Sequence, residues 1–266
     1  MQTNTTGAPA PGIVQDHTIS TVIELMRTNR MPHARQIAEE LLTTAKAQRW
    51  DPAEAVRVLL EAEASGRNKS MLDTRRKRAG FPSGKTFEAW DASISSIPAA
   101  TSDYLRTLEW VRRKENLIAC GPAGTGKSML LEALGHQGID AGMSVSWLSM
   151  EDLGSLVRRH RIDDSVNKAI AKVTGSDLIC IDDIGLLPVS DDAAEGFYRI
   201  VDAAYEKRSL AISSNIHPAG FDQLMPKTLA TATVDRLLHH AHVCQTSGES
   251  IRLLQAQSGK GIMPMG

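Results

Sequence analysis

The residues best able to do chemistry lie in four short stretches of this 266-residue chain. The first reads Gly121, Pro122, Ala123, Gly124, Thr125, Gly126, Lys127, Ser128 and matches G-x-x-x-x-G-K-[ST]. Its glycines let backbone N–H groups turn inward around phosphate oxygens. Lys127 is placed to sit on β- and γ-phosphates, and the Ser128 hydroxyl is placed to reach Mg²⁺. Residues Gly121 to Met129 are therefore the predicted ATP-binding stretch, with Mg²⁺ as its companion ion. The second stretch, Leu178-Ile179-Cys180-Ile181-Asp182-Asp183, is an apolar run ending in two carboxylates. Asp182 is expected to hold Mg²⁺, directly or through water, with Ser128. Asp183 is expected to orient or deprotonate an attacking water. The third is Ser214-Asn215, where Asn215 could position that water. The fourth comprises Arg236 and Arg252, either of which could stabilise transition-state charge on a γ-phosphate, from the same chain or a neighbour. An arginine in either place could equally make a surface ion pair.

These residues need strands and helices to hold them. Leu117–Cys120, Val145–Leu148, Leu178–Ile181 and Leu210–Ser213 read as short apolar strands with helical segments between them, which implies parallel βαβ units. The first strand leads directly into the glycine-rich stretch, and SMLLEALGHQG opens a helix after it, the context that the motif requires. Val145–Leu148 falls between the two phosphate-site motifs. That spacing favours P-loop ATPases with an inserted strand over the simplest nucleotide kinases.

The rest of the chain divides by composition. Residues 1–16 are polar with Pro and Gly and read as a disordered tail. Residues 17–80 read as a small helical domain, with Ile37, Leu41 and Ala45 on one face. Asp51-Pro52-Ala53-Glu54 reads as a helix start, with Asp51 as the cap and Glu54 reaching back as in a capping box. Residues 81–103 read as a linker, 104–257 as the ATPase domain and 258–266 as a tail. Phe87–Asp91 in the linker is a candidate adenine contact.

A net charge of −1 makes the whole molecule no general polyanion binder, so nucleic-acid contact would need local basic patches. One candidate is Arg67, Lys69, Arg75, Arg76, Lys77, Arg78 and Lys85, and a second is Arg158, Arg159 and Arg161. Either could be a solvated helix face or could hold DNA phosphates. Aromatic residues are only 4% of the chain, which argues against base stacking on single strands and favours duplex backbone contact. The three cysteines, Cys120, Cys180 and Cys244, lie in apolar runs and read as buried free thiols, which suits a reducing compartment. No apolar run is long enough for a membrane helix and the N-terminus has no secretory h-region, so a cytoplasmic protein without membrane contact is expected. His239, His240, His242 and Cys244 invite a metal reading. Adjacent histidines on a helix diverge by about 100°, so a packed helix end is expected instead.

Taken in order, GPAGTGKS, LICIDDIG, SSN and DRLLHHAHVCQTSGESIRL resemble the AAA+ ATPases of the IstB/DnaC group. LLEAEASGRNKSMLDTRRKRAGFPSGKTFEAWD is similar to the segment that precedes the core in IstB-like transposition helpers. The resemblance spans roughly Leu59 to Leu253. It implies an α/β P-loop AAA+ core, a five-stranded parallel sheet between helices, that oligomerises in ATP with its site at a subunit interface. It implies Walker A at Gly121, Gly126, Lys127 and Ser128, Walker B at Asp182 and Asp183, and sensor 1 at Asn215. Arg236 looks like a finger acting across an interface and Arg252 like sensor 2 within the chain. Asp183 stands where the wider AAA+ pattern has Glu, which implies slow hydrolysis, and Ile251 stands where the subgroup usually has an aromatic. The function implied is an ATP-dependent protein that assembles on duplex DNA and assists a transposase. The alternatives are a DnaC-like helicase loader, a non-hydrolytic ATP-sensing DNA-binding protein and, without a visible acceptor lid, a small-molecule kinase.

Overall fold

The computed structural model describes residues 17–185 and 189–257; the expected tails at 1–16 and 258–266 lie outside them. The chain forms two compact units, one running to Met71 and the other starting at Leu72, so the boundary falls inside a helix.

In the first unit, α1 (His17–Thr28), α2 (Pro32–Ala47) and the start of α3 (Pro52–Ala79) enclose a small core of Met26, Ala34, Ala38 and Leu59. Asp51 caps α3 as its type suggests, its carboxylate accepting from the Ala53 N–H at 2.7 Å. Glu54 does not reach back; its carboxylate is held by Arg57, one turn on. The start of α2 has no side-chain cap of its own. Buried Glu63 of α3 fills that role, accepting from the N–H groups of His33 and Ala34 at 2.9 Å each, and pairing with Arg67 at 2.6 Å. Burial pushes the Glu63 carboxyl upward, but Arg67 and the two N–H groups outweigh it and leave the group below its ordinary value.

The second unit takes in the end of α3. It continues through α4 (Ala99–Arg106), α5 (Glu109–Arg112), β1 (Asn116–Cys120), α6 (Lys127–Asp140), β2 (Val145–Ser149), α7 (Met150–Arg161) and α8 (Val166–Val173). After these come β3 (Leu178–Ile184), α9 (Asp191–Ala204), β4 (Ser209–Ser214), α10 (Lys227–Leu238), β5 (Ala241–Gln245) and α11 (Ile251–Gln257). The sheet is all parallel with strand order β2-β3-β4-β1-β5. The central strands are buried on both faces, which explains their near-continuous apolar sequences. Side chains alternate between two core layers. Ile118, Ile179, Ile181 and Ile212 meet α7, α8 and α9 through Leu153, Ile170 and Phe197. Leu117, Cys180 and Ala211 face the other way, toward Trp110, Leu130, Leu131 and Leu134. All three cysteines are free and buried.

Two readings need correction. The segment from His239 to Cys244 is not a helix end: α10 stops at Leu238, and Ala241–Gln245 is the fifth strand, paired along β1. Its signal is weak because it is an edge strand, with only Cys244 of its five residues buried. Residues 81–103 are also more than a connector. Phe81 packs on His136, with ring centroids 4.2 Å apart, and Ile97 joins the core. The buried Glu132 carboxylate accepts from the Ser83 N–H, the Ser83 hydroxyl and the Gly84 N–H.

Candidate active site

The candidate residues gather at the carboxyl ends of β1, β3 and β4, where parallel α/β sheets place their sites, and form a cradle there. The loop of residues 121–126 leaves β1 and turns into α6 at Gly126, whose φ of 91° suits glycine. At Gly121 the constraint is contact: a Cβ would lie 2.1 Å from the Thr246 carbonyl oxygen. Thr246, just past β5, braces the loop further. Its N–H donates to the Cys120 carbonyl at 2.7 Å, and its hydroxyl meets that of Thr125, also at 2.7 Å.

Lys127 is buried, its ammonium donating to the carbonyls of Gly121 (2.8 Å) and Pro122 (2.6 Å) and to Asn215 Oδ1 (3.0 Å). Burial lowers its pKa, while Asp182 and Asp183 act to hold the proton on. The Ser128 hydroxyl donates to Asp182 Oδ1 at 2.9 Å. The Ser213 hydroxyl donates to the same carboxylate oxygen, and Ser213 Oγ accepts from the Asp183 N–H at 3.1 Å. Ser128 and Asp182 thus offer adjoining hard oxygens, one of them on a buried carboxylate, a donor set that fits Mg²⁺.

Asp182 and Asp183 stand in different environments because the β3–β4 register slips between Ile181 and Ile184. Asp182 keeps its strand geometry and points inward; Asp183 takes φ 62° and is exposed. Partial desolvation, then the Asp182 charge, raise the Asp183 pKa, and Arg252 and Lys127 pull it back down. Arg252, on α11, therefore stands close enough to act on both. Its helix is tied to the loop by the Ile251 N–H, which donates to the Gly124 carbonyl at 3.0 Å. Asn215 follows β4, its N–H donating to the Ile184 carbonyl at 2.8 Å.

Lys127, Ser128, Asp182, Asp183, Asn215 and Arg252 are thus brought together. Arg236 is placed elsewhere: its Nε lies 3.0 Å from Asp202 of α9, and Nη1 donates to the Ala232 carbonyl at 3.0 Å. Of the linker residues considered for adenine, Trp90 comes beside the loop, its ring edge together with Ile251 bordering the space next to Gly126. Ser213 and Thr246 have no counterpart in the sequence reading. Ser213 lies inside the SSN stretch, but neither residue carries a motif signal of its own.

The two basic patches are partly neutralised within the chain. Arg67 pairs with Glu63, Arg76 with Asp73 and Asp140, and Arg75 donates to the Gly142 carbonyl. Arg161 pairs with Asp192 at 2.7 Å and with Glu195, and Arg158 lies 3.7 Å from Asp192. Lys69, Lys77, Arg78, Lys85 and Arg159 are exposed and have no ion pair among the described residues. No helix among the described residues is long and apolar enough to cross a membrane.

The family model for the IstB-like ATP binding protein matches residues 24–259. A protein of Pseudomonas aeruginosa, named an ATP-binding protein of insertion sequence IS21, is 31% identical over 231 residues, covering 86% of this chain and 87% of the relative. An insertion sequence IS232 ATP-binding protein of Bacillus thuringiensis is 30% identical over 199 residues, covering 73% and 79%. Among solved structures, AMPPCP-bound DnaA from Aquifex aeolicus aligns with a TM-score of 0.53 at 19% identity, over 67% of this chain and 56% of that one. DnaI aligns with a TM-score of 0.53 at 16% identity, over 61% of this chain and 91% of that one. This chain spans little more than half of the DnaA chain, and at these identities both likenesses speak to the fold, that of the AAA+ P-loop proteins. By the span of its family match and its likeness to the insertion-sequence proteins, the chain belongs to the IstB-like ATP-binding protein family.

Proposed function

We propose that this chain is a Mg²⁺-dependent ATPase that assembles on duplex DNA in ATP and assists a transposase. The observation that carries the ATPase part is the convergence of Lys127, Ser128, Asp182, Asp183, Asn215 and Arg252 on one cradle. The Lys127 ammonium neutralises phosphate charge where substrate binds, and Asn215 fixes its direction. Ser128 and Asp182 would hold Mg²⁺, which supplies charge neutralisation across the phosphate oxygens when bound. Asp183, set apart by the slipped register, is the one of the two aspartates that is open to solvent, and it orients the attacking water or takes its proton. Its short side chain places it less well against that water, so turnover is slow; the raised pKa acts the other way, making the ionised carboxylate a better proton acceptor.

Arg236 supports the assembly part. It stands on α10, paired with Asp202 and away from the chain's own cradle, so it is available to a neighbouring subunit's γ-phosphate. The relatives' association with insertion sequences supports the transposase part, and Lys69, Lys77, Arg78 and Arg159 supply cationic groups for phosphate contact. A cytoplasmic location goes with this reading.

The test of the enzymatic part is steady-state ATP hydrolysis by the purified chain with and without its transposase and duplex DNA. The reading expects turnover that needs Mg²⁺ and is lost in Lys127→Ala and Asp183→Asn. Hydrolysis unchanged in Asp183→Asn would remove that residue from the role. Stimulation by a replicative helicase in place of a transposase would point to a loader.

A further inference from the structure

We propose a second cation site of a different chemical class, a transition-metal site formed by Glu206, His239 and His240. Each of these exposed residues can offer one ligand atom, and the three atoms lie within 4.8 Å of one another. On a helix, neighbouring histidines would diverge, but this backbone brings the two together. His239 is already extended (φ −64°, ψ 116°) and His240 takes φ 60°, which folds the second ring back against the first, with centroids 3.9 Å apart. The third ligand comes from another element, two residues past the end of α9, and its Oε1 lies 3.9 Å from His239 Nδ1. Tyr205 borders the group, its hydroxyl lying 2.9 Å from His239 Nδ1, a contact that an ion on that nitrogen would displace.

Two imidazoles and one carboxylate select zinc, nickel or copper rather than magnesium, which prefers oxygen donors and keeps much of its water. Neither of the other residues in the original cluster takes part. His242 pairs with Glu115 at 2.6 Å, and Cys244 is buried in the core. A bound ion would join the carboxyl ends of α9 and α10, the helix pair that also holds Asp202 and Arg236. The site does not depend on the proposed function.

The experiment is calorimetric titration of the full chain, free of any histidine tag, with zinc sulfate in excess Mg²⁺, alongside melting temperature with and without zinc. The expected result is one zinc per chain and a zinc-dependent rise in Tm that Mg²⁺ does not reproduce. A variant carrying His239→Ala and His240→Asn should lose at least about tenfold in affinity and most of the Tm shift. Asparagine tolerates the left-handed backbone at that position, and both side chains are exposed, so the variant should fold. Lys127→Ala should bind zinc as wild type does. Absence of zinc binding, or an unchanged isotherm in the double variant, would overturn the proposal.

Discussion

Arg236 Nε lies 3.0 Å from Asp202 Oδ1, so the arginine proposed to serve a neighbouring subunit is held by its own chain. Asp202 is half exposed and Arg236 about a third exposed, so the pair contributes only about 0–1 kcal/mol to stability. A weak hold of this kind can be exchanged for a phosphate without a large cost.

That exchange is testable. Asp202→Asn should leave the fold intact and lower the protein concentration needed for ATP-dependent assembly, as read by light scattering. Arg236→Ala should abolish the assembly and cut kcat by about a thousandfold or more, the scale of a lost arginine finger. Equal assembly by all three proteins would exclude Arg236 from the interface.

Ser213 serves both carboxylates, donating to Asp182 and accepting from the Asp183 N–H. Ser213→Ala leaves that N–H and one carboxylate lone pair without their partner. The expected cost is about 1–3 kcal/mol in urea unfolding, with half-maximal ATPase activity displaced to higher Mg²⁺. Wild-type Mg²⁺ dependence in this variant would reduce Ser213 to a structural residue.

The raised pKa of Asp183 gives a signed pH effect. A carboxyl whose folded pKa exceeds its unfolded one favours folding while protonated. That advantage is present below the unfolded pKa and is lost as pH rises through the folded value. Asp183→Asn, neutral and tolerant of the φ of 62°, should therefore unfold at higher urea than wild type at pH 7. The gap should close below the carboxylate range. Arg252→Ala, which removes a charge that holds the pKa down, should lower stability at pH 7. A pH-independent gap would show that the strain of the backbone, not the charge, is what Asp183→Asn relieves.

The two basic patches should separate experimentally. Lys77→Ala and Arg78→Ala remove cations with no ion pair among the described residues. Each should weaken duplex binding uniformly across sequences and reduce the salt slope by about one. Arg161 is occupied by Asp192 and Glu195, so Arg161→Ala should leave the slope nearly unchanged. A larger slope change for Arg161→Ala than for Arg78→Ala would move the DNA face to α7.

The nucleotide cradle was legible because its parts are contiguous in sequence: a strand, a glycine-rich turn, a helix start and an apolar run closing on two aspartates. What could not be read depends on neighbours far along the chain. Ser213 acquires its role by lying beside β3, Thr246 by lying beside β1, and Asp202 by facing α10. The left-handed backbone of Asp183 follows from a register slip between two strands that no local pattern announces. β5 escaped because an edge strand with one buried residue has little apolar periodicity, and missing it led to the mistaken helical placement of His239 and His240. The basic runs were visible, but their in-chain carboxylates were not: Asp140, Asp192 and Glu195 lie dozens of residues away from the arginines they neutralise.

If nucleotide state controls the grip on DNA, duplex affinity at one fixed salt concentration must differ between ATP and ADP. Binding should be tight in ATP, weak in ADP, and weak in both for Lys127→Ala. Equal affinity in the two nucleotides, or wild-type affinity in Lys127→Ala, would contradict it.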